Sequence, residues 1–179
     1  MALNPQQQTR CWLENVIIKL NFCPFANREF INQRIRYATD ESSHIEPALQ
    51  RLSQELEFLQ EHSDTETTLL IFSHGFSDFD DFLDLIDIAN QLIDELNLQG
   101  IFQLAHFHPD YCFAGEAADD AANFTNRSPF PTLHLLREQS LQQAIDSHPD
   151  TASIPQANIK LARAQGFDKM QALLNHCKQ

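Results

Sequence analysis

Apolar residues recur along the chain in two spacings that distinguish helices from strands. Between residues 78 and 98 they recur every three or four positions, which predicts an amphipathic helix with Gly100 just past its end. The stretch TTLLIFS, 67–73, is continuously apolar in character, which is typical of a strand covered on both faces. The remaining elements are predicted by the same criteria. Helices are expected over 4–20, 42–60, around 138–146 and over 155–177 with a break near Gly166, and strands over 34–39, 100–108 and 132–138.

The starts of three predicted helices carry residues that can satisfy free backbone N–H groups. Asn4 is placed to cap the first helix, with Pro5 at its first helical position. Ser43 followed by Glu46 has the spacing of a capping box, which predicts Ser43 as the cap of the second helix. Asp78 and the two aspartates after it suit the first turn of the amphipathic helix, where the helix dipole favours negative charge.

The predicted order of elements indicates a single folded unit. The order β-α-β-α-β-β-α, with flanking helices at both termini, predicts an α/β (or α+β) sandwich with a mixed four-stranded sheet. The first three strands can run parallel through right-handed crossovers. A chain of 179 residues has the size of one domain, so 1–179 is expected to be a single globular domain. A polar stretch as long as 109–131 is usually either a functional loop or a disordered segment, and its phenylalanines favour an ordered loop.

A formal net charge of −13 limits the partners of this protein. Nucleic acid is not expected, because nonspecific binding needs Lys and Arg against the phosphates. A membrane is not expected either, since no apolar run reaches the ~20 residues of a membrane helix and the N-terminus does not resemble a signal peptide. The four cysteines lack the spacing of a disulfide scaffold, so reduced thiols in a bacterial-type cytoplasm are expected. The terminal helical pair offers a surface for homo-oligomers.

The stretch AHFHPDYCFAG, 105–115, places two histidines one residue apart at the end of a predicted strand. Residues i and i+2 of a strand share a face, so His106 and His108 would point the same way. Two imidazoles at this spacing can bind zinc or another divalent transition metal if a third ligand joins them. The alternative is that they hydrogen-bond a ligand or the loop backbone. The candidates for a third metal ligand are Asp110, Cys112, His134, His74 and Cys23.

A third histidine, His74, follows the preceding strand in the turn SHGF. If the two strands run parallel, His74 and His108 lie at the carboxyl end of the sheet, where open α/β sheets bind ligands. The alternative is a purely structural turn, with Gly75 permitting the bend. On the next strand His134 and Arg137 are expected to point to opposite faces, so at most one of them would enter a site.

Two arginines stand alone in the middle of this acidic chain. Arg127 and Arg137 are the only Lys or Arg residues between positions 51 and 160. Arg127 lies in the stretch NRSP beside amide and hydroxyl donors, which together suit a carboxylate or phosphate oxygen. The alternative is that Arg127 pairs with Asp119 or Asp120 and fastens the loop.

Cys23, in NFCPFA, follows the C-terminus of the first predicted helix. That end of the helix dipole raises the pKa of a thiol, which favours a packed thiol over a nucleophile. The sequence contains no serine nucleophile elbow, phosphate-binding loop, dinucleotide fingerprint, HExxH or EF-hand motif. The familiar cofactor classes are therefore not indicated.

These residues together predict a polar site at one edge of the sheet. We expect an enzyme or binder that acts on a small anionic metabolite, with a histidine as general acid/base and Arg127 orienting the substrate. A divalent transition metal on His106 and His108 is a variant of this hypothesis. The alternative is a noncatalytic ligand-sensing or protein-interaction module whose polar block 106–138 is structural. The predicted catalytic residues are His106, His108 and Asp110, and the predicted ligand-binding residues are Asn123, Asn126, Arg127, His134, Arg137, Cys23 and His74.

Four stretches of the chain are together similar to one bacterial family: LNFCPFA, FHPDYCFAG, NFTNRSPFPTLHLLRE and IPQANI. In this combination they resemble DUF1415, an uncharacterised domain whose members have about this length. The resemblance covers nearly the whole chain and implies a compact single-domain bacterial protein. It implies no catalytic residue, but it makes the block from Phe107 to Glu138 look like the signature of the family.

Overall fold

The computed structural model describes residues 3–148 and 150–179, so residues 1, 2 and 149 of the predicted domain lie outside the described residues. The described residues form a mixed α/β structure of four strands and seven α-helices. The strands are β1 (Ile35–Asp40), β2 (Thr67–Phe72), β3 (Phe102–Phe107) and β4 (Thr132–Arg137). The helices are α1 (Pro5–Trp12), α2 (Ala26–Ile31), α3 (Ile45–Glu61), α4 (Phe79–Glu95), α5 (Glu138–Ser147), α6 (Ile154–Gln165) and α7 (Phe167–Cys177).

Every helix and strand predicted from the periodicity is present, with each end displaced by three residues or fewer. The first predicted helix changes its hydrogen-bond spacing part-way, because α1 continues as a π-helical segment over Leu13–Ile18. Helix α2 was not predicted. The polar stretch contains a short 3-10 helix, Ala121–Thr125, and a second one, Thr151–Ser153, precedes α6.

The sheet is mixed, as predicted, with the strand order β1-β2-β4-β3. Strand β1 is parallel to β2, whereas β4 is antiparallel to both β2 and β3. Strands β1, β2 and β3 therefore all run in one direction, although β4 lies between the last two. The end of the sheet at which these three strands finish is called here the C-terminal edge. The loops 41–44, 73–78 and 108–131 all begin or end there.

Helices cover both faces of the sheet and create two separate cores. The first core lies between the sheet and helices α3 and α4, with Phe72 and Phe82 among its buried side chains. The second core lies between the opposite face and α1, its π-helical continuation, α6 and α7, with Trp12 at its centre. Strand β2 is buried along its whole length because both faces are covered, which confirms the expectation for an uninterrupted apolar strand.

The predicted helix caps have mixed outcomes. Asn4 caps α1 and forms a capping box with Gln7. The Asp78 carboxylate caps α4 by accepting from the backbone N–H groups of Asp80 and Asp81. The prediction of Ser43 as the cap of α3 is wrong, because the N-cap position is occupied by His44, the helix begins at Ile45, and no side chain caps it. Among the described residues, no helix has both the length and the apolarity that crossing a membrane requires.

Candidate functional site

The sheet topology brings the predicted histidines to one end of the molecule. Because β2 and β3 run in the same direction, the segments after them, with His74 and His108, both lie at the C-terminal edge. His106 is on β3 and faces the first core, where its ring is 6.3 Å from that of Phe82. His108 lies against the same phenylalanine at 5.3 Å, so the two histidines share a side, as their spacing predicts.

His108 is fully buried, and both of its ring nitrogens bond to the backbone. Its Nε2 lies 2.9 Å from the carbonyl oxygen of Phe76, and its Nδ1 accepts from the backbone N–H of Asp110 at 3.0 Å. The ring is therefore neutral, with its proton on Nε2. Burial lowers the pKa of His108, against the opposing effect of the Phe76 carbonyl. A metal or substrate could reach either nitrogen only by breaking one of these hydrogen bonds.

The segment that His108 holds has an unusual backbone. Phe76 has a positive φ of 59°, a conformation that costs an aromatic residue of order 1–3 kcal/mol. Just before it, the backbone of Gly75 lies so close to β1's outgoing loop that a Cβ would come within 2.1 Å of the Ser42 carbonyl oxygen. Gly75 is therefore required by close packing. The ring of His108 fastens this turn to the end of β3.

His106 and Asp110, the other members of the predicted catalytic set, are more open than His108, as is His74 of the predicted ligand-binding set. His106 is half-buried, and burial, together with the neighbouring His108, lowers its pKa. The ring of Tyr111 is 5.9 Å from that of His106. Asp110 and His74 are exposed, and the Nδ1 of His74 is 3.0 Å from the Ser73 hydroxyl. Within residues 3–148 and 150–179, no three His, Cys, Asp or Glu side chains converge as a metal site would require. Metal binding at His106 and His108 stays a prediction.

Arg127 braces the loop from inside. Its side chain is buried, with only 8% of the residue exposed. Nε donates to the carbonyl of Tyr111 at 3.0 Å, Nη2 donates to that of Ala118 at 2.8 Å, and the guanidinium lies 4.9 Å from the centre of the Phe124 ring. Burial lowers the pKa of Arg127, although a guanidinium stays charged in proteins.

Arg127 bonds to backbone carbonyls and not to Asp119 or Asp120, the carboxylates predicted as its alternative partners. Asp120 instead binds Arg163 of α6, with oxygen–nitrogen distances from 2.7 to 3.1 Å, and this contact lowers the pKa of Asp120 to about 2. Asn123, which is fully buried, accepts from the backbone N–H of Phe113 and donates to the carbonyl of Ala117. The polar loop is thus held by its own side chains, and Arg163 of α6 forms ion pairs with two of its carboxylates, those of Glu116 and Asp120.

His134 and Arg137 point to opposite faces, as predicted. His134 lies on the face of the second core, 6.1 Å from the ring of Phe107, and burial lowers its pKa to about 4. Arg137 lies at the other end of β4, over the ring of Phe102, and donates to the carbonyls of Leu59 and Thr65. Arg137 is therefore far along the strand from the C-terminal edge.

A cavity of about 300 Å³ opens beside the second core at the C-terminal edge. Two residues of the predicted ligand-binding set, Cys23 and Asn126, line it. The amide oxygen of Asn126 accepts from the Thr125 hydroxyl at 3.0 Å, and Asn158 of α6 donates to the carbonyl of Phe22 at 2.6 Å. The complete lining comprises Ile17, Phe22, Cys23, Phe107, Phe113, Thr125, Asn126, Ile154, Pro155, Asn158 and Ile159.

Cys23 supplies the one ionisable side chain of this lining. Burial raises the pKa of its thiol, and the backbone N–H groups of Phe25 and Ala26, at the start of α2, partly offset that effect. The pKa of the Cys23 thiol is therefore raised, as predicted, but the cause is burial and not the end of the preceding helix. The thiol is protonated near neutral pH, so the cavity carries no charged side chain.

A shallower hollow of about 390 Å³ lies on the opposite face, between α3 and α4. Leu49 and Leu92 line it together with Glu46 and a few polar side chains. None of the predicted site residues lies there. The cavity at the C-terminal edge is therefore the better candidate for a functional site.

Comparison with protein-family models confirms the resemblance to one family. A family model described as "Protein of unknown function (DUF1415)" matches residues 4–172. The chain belongs to the DUF1415 family. No curated protein and no solved structure matches it.

The cavity is where the four stretches that resemble DUF1415 come together. Ten of the eleven lining residues lie within those stretches, the exception being Ile17. Most of them are apolar, so they carry none of the chemically reactive groups from which a site can be predicted. The spacing of the four stretches along the chain gave no sign that they meet. Their shared membership in the family resemblance was the only signal that could have grouped them.

Proposed function

We propose that this protein is a noncatalytic module that binds a small, uncharged and largely apolar molecule in the cavity at the C-terminal edge. The observation that supports this proposal most directly is the lining: phenylalanine, isoleucine and proline side chains with a few hydrogen-bonding groups and no charge. Such a combination is typical of small-molecule sites, in which apolar walls supply affinity and a few polar groups orient the ligand. A volume of about 300 Å³ suits a molecule of modest size.

The polar groups of the lining define what the ligand would offer. The Asn126 side-chain amide and the Thr125 hydroxyl lie together on one wall. We expect them to bond a carbonyl, amide or hydroxyl at one end of the ligand, while the phenylalanines contact its apolar body. The Cys23 thiol would contact the ligand as a neutral group.

The anionic metabolite expected from the sequence has less support at this site. Its main ligand would be Arg127, whose guanidinium already donates to two backbone carbonyls. His108 likewise uses both ring nitrogens on the backbone. This arrangement favours the alternative in which the polar block 106–138 is structural and shapes one wall of the cavity. Four free cysteines also fit the reducing cytoplasm that we continue to propose.

A thermal-shift screen followed by cysteine labelling tests this function. The screen compares neutral amides, ketones and alcohols with phosphates and carboxylates. A neutral compound at 100 times its Kd should raise the Tm by about 5–10 °C. It should also slow alkylation of Cys23, found in the tryptic peptide 20–28, and leave Cys112, in the peptide 52–127, unaffected.

Two variants separate binding in the cavity from binding elsewhere. Ile159→Trp would fill the cavity from α6, so the thermal shift and the protection of Cys23 should disappear. Leu49→Trp is the matched control, because it places the same side chain in the hollow between α3 and α4. Hits confined to phosphates or carboxylates, or hits that persist in the Ile159→Trp variant, would contradict the proposal.

A further inference from the structure

Two cysteines from opposite ends of the chain lie in direct contact. The sulfur of Cys11, on α1, is 2.9 Å from that of Cys177, the last residue of α7. The other thiol contacts in the described structure, such as those of Cys112 with backbone carbonyls, are longer, at 3.5–3.8 Å. A disulfide bond is about 2.05 Å long, so the two sulfurs would need to approach by less than about 1 Å.

The two thiols differ in accessibility. Cys177 is fully buried in the second core, whereas Cys11 is only partly buried. Burial and, to a smaller extent, the contact with the Cys11 sulfur raise the pKa of Cys177 to about 12. An oxidant arriving from solvent would therefore meet Cys11 first. The remaining cysteines are not placed as disulfide partners, because the Cys112 sulfur contacts backbone carbonyls of its own loop and Cys23 lies at the cavity.

We propose that Cys11 and Cys177 are a redox modification site that forms a reversible intramolecular disulfide under hydroperoxide. The Cys11 thiolate attacks the peroxide, its sulfur is oxidised to a sulfenic acid, and the peroxide is reduced to water or an alcohol. The Cys177 sulfur then displaces hydroxide from the sulfenic sulfur, and the thiol proton leaves with it as a second water. Two thiols and one hydrogen peroxide thus yield one disulfide and two waters.

The position of the pair gives this bond a structural consequence. It would join α1 to α7 across 166 positions of sequence and so close almost the whole chain into one loop. Loop closure of this length strongly restricts the unfolded chain, which stabilises the folded state. Residues near the two cysteines already meet here, since the backbone N–H of Leu3 donates to the carbonyl of Gln179 at 3.4 Å. The bond would therefore lock an existing contact.

Peptide mapping of the full chain tests the assignment directly. Protein reduced with dithiothreitol, then treated with hydrogen peroxide and alkylated, is digested with trypsin without reduction. The peptide CWLENVIIK, 11–19, should appear linked to MQALLNHCK, 170–178, at two hydrogens below the sum of their masses. The Tm should rise by about 5–10 °C, and dithiothreitol should reverse both changes.

Cysteine variants and the identity of the oxidation products test whether Cys11 and Cys177 form the disulfide. Cys11→Ser should abolish the linked peptide and the thermal shift, while Cys112→Ser should retain both. Cys11→Ser alters a partly buried position, so it should fold even if a change at buried Cys177 does not. The proposal is overturned if oxidised Cys11 accumulates as sulfinic acid beside a free Cys177. It is equally overturned if the two peptides link only between separate chains, which a covalent dimer on a non-reducing gel would reveal.

Discussion

His108 shows at the level of one side chain how the loop after β3 is held. Replacing it with alanine would leave the buried carbonyl of Phe76 without its partner and would remove the bond to the partly buried N–H of Asp110. It would also remove the ring that packs on Phe79 and Phe82. We expect His108→Ala to lower the free energy of unfolding by about 3 kcal/mol, measured by urea denaturation at pH 7.5.

The neighbouring histidine is the matched control for that experiment. His106 lies on the same side of β3 but is only half-buried, so His106→Ala should cost about 1 kcal/mol. Equal and small losses in the two variants would contradict the structural role of His108. They would also restore the case for its ring nitrogens as metal ligands or catalytic groups.

A second residue prediction concerns Arg127. Arg127→Lys keeps the charge, but an ammonium lacks the rigid fork in which Nε and Nη2 donate separately to the Tyr111 and Ala118 carbonyls. We expect the variant to unfold about 2 kcal/mol more easily in urea. Arg163→Lys is the control, since Arg163 makes its ion pairs at the surface and should lose no more than about 0.5 kcal/mol. Equal losses of stability in the two variants would contradict the role of Arg127 in holding the loop together through these two hydrogen bonds.

The sequence pattern singles out His108, Asn123 and Arg127 as candidate functional residues, but it does not show which groups their side chains hydrogen-bond. A long loop exposes many backbone N–H and C=O groups that need partners once the loop is buried. Imidazole, amide and guanidinium groups meet that need as readily as they bind a ligand. Asn123, for example, satisfies one backbone N–H and one carbonyl within its own loop. Only coordinates distinguish the two uses.

At the level of elements, the cap of α4 offers a clean test. The Asp78 carboxylate accepts from two backbone N–H groups at 2.9 and 3.3 Å, and it stands at the positive end of the helix dipole. Asp78→Ala should lower the free energy of unfolding by about 1 kcal/mol, and Asp78→Ser should restore most of that loss. The comparison is made by urea denaturation. A serine variant no more stable than the alanine variant would show that the cap bonds contribute little.

Elements with a strong apolar period were predictable, and those defined by tertiary contacts were not. Helix α4 has a long apolar stripe and was found to within three residues. Helix α2 has six residues and none of them is buried, so it has no such stripe. The capping box at Ser43 failed because its spacing is common by chance, and α3 starts without a side-chain cap. The π-helical turn in the first helix left no trace in an apolar spacing that suits an ordinary α-helix.

At the level of the whole molecule, the sequence predicted that β1, β2 and β3 can run in the same direction. It did not predict that β4 lies between β2 and β3. That insertion places the long loop 108–131 over the C-terminal edge and brings it against α6. The cavity exists only because these distant segments pack together around Phe107 and Phe113. No local pattern encodes such a meeting, which is why the predicted site and the cavity share only Cys23 and Asn126.

The stability of the whole molecule should fall in mild acid because of a partly buried histidine, His134. His134 has a folded pKa of about 4 against an ordinary value of 6.5. Above pH 6.5 the ring is neutral in both states. As the pH falls from 6.5 towards 4, the unfolded chain binds a proton that the folded chain does not, so the free energy of unfolding drops. At pH 4.5 the loss should be about 2–3 kcal/mol relative to pH 7.5.

Two variants isolate this effect from the general response to acid. Burial also lowers the pKa values of His106 and His108, so they add a loss of the same sign and the wild-type change should exceed that of His134 alone. His134→Leu removes the titrating ring beside Phe107, and the drop between pH 7.5 and pH 4.5 should shrink by about 2–3 kcal/mol. His74→Gln changes an exposed histidine and should leave the drop as it is in the wild type. A His134→Leu profile parallel to that of the wild type would mean that the ring is protonated within the folded protein, and that the second core tolerates its charge.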